Sequence, residues 1–158
     1  MKRLLRELEK DATLTNEQLS VMLGKSVDEI KETKNTYERD GVILGYKTII
    51  DWDKTDREYV TAFIEVKLMP QRDRGFDKIA EKIYAYPEVK SVYLMSGGFD
   101  LAVTIEGKTM KEVAYFVAQK LSTIESVTAT ATHFVLRKYK DEGVIFGAEE
   151  IDERGNLN

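Results

Sequence analysis

Tyr59-Val60-Thr61-Ala62-Phe63-Ile64-Glu65-Val66-Lys67-Leu68 is the stretch on which the fold turns. Val60, Ala62, Ile64, Val66 and Leu68 alternate with Tyr59, Thr61, Phe63, Glu65 and Lys67, the period-two pattern of a half-buried strand. Pro70 is expected to stop it. Beyond it, Phe76, Ile79, Ala80 and Ile83 recur at helical spacing, and Tyr86-Pro87 closes that helix. Residues 89–95 and 99–106 read as two strands joined through Ser96-Gly97-Gly98, a hairpin signal. Thr109-Met110-Lys111-Glu112 matches a capping box, the start of a helix with Met110, Val113, Val117 and Leu121 inward. Residues 126–138 read as a long last strand. Thr128, Thr130, Thr132, Phe134 and Leu136 fall on one face, Val127, Ala129, Ala131, His133 and Val135 on the other. The order βαββαβ predicts a ferredoxin-like sheet with helices on one face only. Its other face would expose apolar groups such as Phe63 and Phe134, so a partner subunit is expected to cover it.

Upstream, Leu4, Leu5 and Leu8 form one stripe of a first helix ending near Asp11. Thr15-Asn16-Glu17-Gln18 is a capping box for a second, with Leu19, Met22 and Leu23 inward and Gly24 as a left-handed stop. Ser26-Val27-Asp28-Glu29 caps a third helix running to about Asp40, with Val27, Ile30 and Tyr37 inward. Val42, Ile43 and Leu44 read as a following strand. Helix, tight turn and capped helix make a helix-turn-helix, whose second helix typically enters the DNA major groove; a generic three-helix bundle would read the same way. The expected class is therefore α+β: a winged-type helix-turn-helix over residues 1–46 and a ferredoxin-like domain over 59–140. Residues 47–58 would link them, Thr48, Ile49, Ile50 and Trp52 implying a docked strand. Residues 141–158 would form an acidic tail in which Val144-Ile145-Phe146 can add an edge strand, with fraying beyond Ile151.

Composition removes several classes. Of 158 residues, 42% are hydrophobic and 33% charged, with 2 Pro, which fits a folded chain rather than a disordered one. No apolar run approaches the ~18 residues of a membrane span, and Met1-Lys2-Arg3 opens with charge rather than a secretory signal. With no Cys and one His, His133, there are no thiolate or His-rich metal sites. The expectation is a cytoplasmic protein without cofactor, metal or membrane partner. Residues 1–140 hold 23 basic and 22 acidic side chains, so there is no general basic footprint for nucleic acid. Any DNA contact must come from a few local cations. Glu149-Glu150 reads as solvating charge.

Gly41-Val42-Ile43-Leu44-Gly45-Tyr46 and Ser96-Gly97-Gly98-Phe99-Asp100 carry a resemblance. The first is similar to the segment closing the DNA-binding domain of Lrp/AsnC-type (leucine-responsive, "feast/famine") transcription regulators. The second resembles the Gly-x-Tyr/Phe-Asp turn of that family's ligand-binding RAM domain. Asp11-Ala12-Thr13-Leu14-Thr15-Asn16, Leu19-Ser20 and Gly24-Lys25-Ser26 sit at the family's spacings, so the resemblance spans about residues 1–140. It implies double-stranded DNA as partner and a homodimer built through RAM domains, commonly assembled into tetramers, octamers or hexadecamers. It also implies an amino acid or related effector bound between dimers. The resemblance makes Gly97, Gly98 and Asp100 effector candidates. Independently, glycines let a ligand approach backbone N–H groups suited to a carboxylate, and Asp100 suits an ammonium. Thr132 is a further candidate for a polar contact. The alternative is that Gly97-Gly98 serve only the turn and Asp100 caps backbone groups.

The third helix departs from the family. Where members usually carry approximately Arg-Ile-x-Arg-Leu-Glu, this chain has Thr33-Lys34-Asn35-Thr36-Tyr37-Glu38, and residues 26–40 hold three cations against five anions. Lys25, Ser26, Lys31, Lys34 and Asn35 are the candidate DNA contacts: the lysines for phosphate, Ser26 for backbone, Asn35 for adenine. A solvated helix surface is the alternative for each. Two further readings stay open. One is a metabolite sensor or assembly module whose helix-turn-helix has decayed. The other is an enzyme resembling the siroheme decarboxylases, which share this plan but need a basic, His-containing pocket, against which His133 stands alone on a strand face that reads as buried or at a subunit contact.

Overall fold

The computed structural model describes residues 2–69 and 75–147. It divides into two compact units, residues 1–50 and 51–158.

The first unit holds α1 (Lys2–Lys10), α2 (Asn16–Leu23) and α3 (Val27–Arg39). Both capping boxes form. Gln18 N donates to Thr15 Oγ1 at 3.2 Å while Thr15 N donates to Gln18 Oε1 at 2.8 Å, and Ser26 and Glu29 exchange the same pair at 3.2 and 3.0 Å. Leu4, Leu8, Leu19, Ile30 and Tyr37 are the buried core, with Leu5, Leu14, Leu23 and Ile43 packed against it. Met22 and Val27, expected inward, are exposed, because a three-helix core this small is filled by one residue per helical turn.

Gly24 and Gly41 end α2 and α3 at φ 64° and 68°, the left-handed region in which a Cβ is strained. A Cβ on Gly41 would meet no atom within 4 Å, so the penalty of a side chain there is backbone strain alone. Gly41→Ala is expected to lower stability by about 1 kcal/mol, read as a reduced urea midpoint with unchanged slope.

No strand follows α3, so the winged feature expected at Val42-Ile43-Leu44 is absent among the described residues. Val42 N and Ile43 N both donate to Tyr37 O, at 2.8 and 3.0 Å, and thereby close the helix instead of starting a ladder. The strand expected near Thr48, Ile49 and Ile50 does not form either; only a 3₁₀ turn, Trp52–Lys54, occurs in that stretch. Ile49 and Ile50 are about 40% exposed, and a lone extended segment has no ladder to make a strand of it.

The second unit carries β1 (Val60–Leu68), α4 (Gly75–Tyr84), β2 (Val89–Leu94), β3 (Leu101–Gly107), α5 (Met110–Phe116, continued by a π turn at Val117–Leu121) and β4 (Val127–Phe134). The antiparallel sheet runs β2-β3-β1-β4. This is the split βαβ order: β3 lies between β1 and β2, and β1 between β3 and β4. Ala62, Ile64, Val66 and Leu68 of β1 pack beneath α4 and α5 with Ile79, Ile83, Val103, Ile105, Val113, Phe116 and Leu121. Met110, expected inward, is 52% exposed. Pro70 and the Glu149-Glu150 pair lie outside the described residues. Val144-Ile145-Phe146 does not extend the main sheet: β5 (Lys140–Asp141) and β6 (Val144–Ile145) pair with each other around Glu142-Gly143, both at positive φ.

The facing of β4 differs from the alternation expected. Ala62 lies opposite Phe134 and Ile64 opposite Thr132, so Phe134 points into the helix-covered core; Phe63 lies opposite His133, which places His133 on the open face. Register shifts between Lys67 and Leu68, so Val127 faces inward with Leu68 although Ala129 and Ala131 do not. A bulge flips the parity of everything beyond it.

Candidate functional site

On α3, Ile30, Thr33, Lys34 and Tyr37 occupy the inward half, being buried or half-buried. At 100° per residue the opposite side carries Asp28, Lys31, Glu32, Asn35 and Arg39. Lys31, Asn35 and Arg39, at i, i+4 and i+8, form one exposed stripe. The structure thus brings Lys31 and Asn35 together and adds Arg39, which the reading of the sequence passed over although the four-residue spacing was there to see. Arg39 Nε sits 3.2 Å from Asp40 Oδ1, an exposed pair that holds it only weakly.

The other three candidates sit differently. Lys34 is half-buried, its Nζ 5.8 Å from the centre of the Tyr46 ring, and Tyr46 donates its hydroxyl to Glu38 Oε1 at 2.8 Å. Burial and the Glu38 carboxylate both push the Tyr46 phenol above its ordinary value. Lys34 therefore flanks the closing segment rather than the outer stripe. Ser26 spends its side chain on the α3 cap, and Lys25 Nζ lies 3.4 Å from Glu29 Oε1. Hydrogen bonds from Ser26, then from Lys25, hold Glu29 below the usual carboxylate range. Lys25 and Ser26 immediately precede the first turn of α3, the end of a helix whose free N–H groups suit an anion.

In the second unit, the β2–β3 connection exposes Gly97 and Gly98, and a Cβ on either would meet nothing within 4 Å. Neither adopts positive φ, so the turn does not need glycine for its backbone; what the pair supplies is open access to main chain. Asp100 is a latch. Its N donates to Val66 O at 3.0 Å, its O accepts from Met95 N at 2.8 Å, and its Oδ2 accepts from Leu68 N at 2.7 Å. One residue thereby ties β1 to β2 where β3 begins. The backbone-capping alternative for Asp100 thus has specific hydrogen bonds behind it. Thr132 is not beside this turn: opposite Ile64 on β4, it shares the helix-covered face and is separated from β3 by β1.

The open sheet face carries Phe63, edge-to-face with Phe99 at 6.1 Å and 6.2 Å from the His133 ring, with His133 Nε2 3.4 Å from Glu65 Oε1. Tyr93 of β2 is 61% exposed at one edge of this face, and Ala129 and Ala131 of β4, opposite Lys67 and Glu65 of β1, present small positions at the other. Among the described residues no cluster of three or more His, Cys, Asp or Glu suits a metal ion.

Comparison with known proteins gives these features a lineage. Residues 61–145 match the family model described as the Lrp/AsnC ligand binding domain. The chain is 46% identical over 152 residues to the HTH-type transcriptional regulator YugG of Bacillus subtilis, covering 96% of this chain and 92% of that one. Among solved structures, the leucine response regulatory protein LrpA of Mycobacterium tuberculosis superposes with a TM-score of 0.73 at 20% identity, covering 88% of this chain and 92% of that one. A transcriptional regulator of Neisseria meningitidis in complex with L-Met superposes with a TM-score of 0.70 at 23% identity, covering 87% and 88%. Those two likenesses show a shared fold. With the family model covering more than half its length, and a relative matched almost end to end, this chain belongs to the Lrp/AsnC family of transcription regulators.

Proposed function

We propose that the chain acts as a homodimer, or a larger assembly of dimers, that grips double-stranded DNA through paired α3 helices and responds to a free amino acid at the β2–β3 turn. The observation carrying this reading is the outward stripe Lys31–Asn35–Arg39 on a doubly capped helix-turn-helix. Lys31 and Arg39 suit flanking phosphates, and Asn35 between them suits an adenine edge. Asp28 and Glu32 on the same side oppose the phosphate charge, so each single head binds weakly. Two heads on one dimer compensate through effective concentration. Asp28 and Glu32 also favour the second reading, a sensor whose reading head has decayed. For the effector, the exposed Gly97-Gly98 backbone suits a carboxylate. L-Met, held by the Neisseria relative, is the first probe to use. A ligand between dimers would act by its different affinity for alternative assemblies.

Titrating the protein with a fragment of its own promoter at increasing salt separates the two readings. A retained head loses affinity steeply, with log–log slope near −0.9 per phosphate neutralised. Lys31→Ala and Arg39→Ala should each flatten that slope by about two, roughly one for each head of the dimer, while Asn35→Ala should relax sequence preference more than salt dependence. Absence of a specific complex at moderate salt would establish the decayed module instead.

A further inference from the structure

α1 carries the positive charge that α3 lacks. Lys2–Lys10 holds four cations against two anions, whereas Val27–Arg39 holds three against four. Leu4 and Leu8 of α1 are buried, and Lys2, Arg3, Arg6 and Lys10 are exposed. At 100° per residue Arg3, Arg6 and Lys10, at i, i+3 and i+7, fall within about 60° of one another on the outer side. Lys10 Nζ is shared with Glu7 Oε1 at 3.6 Å. No carboxylate pairs with Arg3 or Arg6 among the described residues.

Arg3 fixes where this stripe begins. With Leu4, Leu23, Lys25, Ile30 and Thr33 it lines a depression of about 140 Å³, so α1 brings a guanidinium beside Lys25 and the Thr33 shoulder of α3. Counted from Ile30, Thr33 lies about 160° around α3 from Lys31. These two shoulders differ in charge: Lys31 stands on one, and Glu29, Thr33 and Thr36 on the other. A helix in the major groove, about 12 Å wide, runs between two phosphate strands, and each shoulder meets one of them. α3 therefore offers a cation to one strand and a carboxylate to the other.

We propose that Arg3 and Arg6 of α1 are DNA phosphate contacts, clamping the strand on the Thr33 shoulder while Lys31 holds the strand on the other. The clamp rests on the reading of α3 as a groove helix. Arginine suits the task because its planar fork gives two N–H groups to one phosphate. A helix with more anions than cations is then held against a polyanion by the charge of its neighbour.

The test uses the full-length protein and the promoter fragment, with individual phosphates replaced by uncharged methylphosphonates. Arg3→Gln and Arg6→Gln should melt with the parent, because both side chains are exposed. Each should flatten the log–log salt slope by about two, one phosphate per head, and weaken the complex at least about tenfold at 0.1 M salt. A methylphosphonate at the clamped phosphate should cost the parent a similar factor and cost Arg3→Gln nothing further. Phosphates silenced in this way by Arg3→Gln should lie on the strand of each half-site opposite those silenced by Lys31→Ala. Parental slopes and affinities in both arginine variants, with Lys31→Ala still impaired, would overturn the clamp and leave the α3 reading standing. A loss spread evenly over every phosphate, the sign of a general field rather than a contact, would overturn it as well. A parent that forms no specific complex would overturn both.

Discussion

Ala131→Glu should convert the assembled protein to monomers while leaving each chain folded. Ala131 is exposed on the open face and lies directly opposite Glu65 across the β1–β4 ladder. The single chain tolerates a carboxylate there, since an exposed substitution usually moves stability by no more than about 0.5 kcal/mol. A subunit seated on Phe63, Phe99 and Tyr93 cannot. It would bury two carboxylates side by side, and His133, with Nε2 3.4 Å from Glu65 Oε1, cannot neutralise both. Burying an uncompensated charge costs several kcal/mol, and a symmetric dimer meets it twice, so the dissociation constant should rise at least about a hundredfold. Light scattering would read monomer mass at concentrations where the parent, if it is the homodimer proposed above, reads twice that. DNA affinity should fall by a further factor of about 10² to 10⁴ as the two heads lose their effective concentration. A variant that associates like the parent would show that the open face is not the interface.

Where residues spoke through their own backbone chemistry, the structure was legible in the sequence. Thr15 and Ser26 announce their helices because a hydroxyl three residues ahead of Gln or Glu satisfies two orphan N–H groups reciprocally, and both boxes form. β1 was readable because Ile64 and Val66 alternate with Glu65 and Lys67, a contrast that admits one facing. β4 offers no such contrast. Its Ala and Thr residues suit either side, so pairing with β1 decides the facing, and the shift at Lys67/Leu68 is a property of two strands that neither sequence alone displays. Val42-Ile43-Leu44 has the composition of a strand, but its first two N–H groups are taken by Tyr37 O. At the candidate sites, the Lys31–Asn35–Arg39 stripe lay within reach of helical arithmetic. The Glu88–Lys120 ion pair did not, because residues 32 apart meet only once the approach to β2 and the π turn that continues α5 are folded against each other.

Asp100 is the position at which fold and function can be separated by measurement. Asp100→Ala removes the acceptor of Leu68 N–H, a part-buried contact across 32 residues. An abandoned donor of that kind costs about 1–3 kcal/mol, which in a chain of this size lowers the melting temperature by about 2–4 °C per kcal/mol. Asp100→Asn keeps an amide oxygen for Leu68 N–H and discards the charge, so it should recover most of that loss if the latch is what matters to the fold. Binding of L-methionine, followed by calorimetry in the same two proteins, then asks a different question. A carboxylate that also meets the ligand's ammonium would leave Asp100→Asn stable but about tenfold or more weaker in affinity. A carboxylate confined to the latch would leave Asp100→Asn both stable and unimpaired, placing recognition on the exposed Gly97-Gly98 main chain. The latch predicts the order of stabilities, parent then Asn then Ala, in either case. If Ala melts with the parent, the hydrogen bond to Leu68 contributes nothing and the tie between β1 and β2 rests on the Asp100 main chain alone.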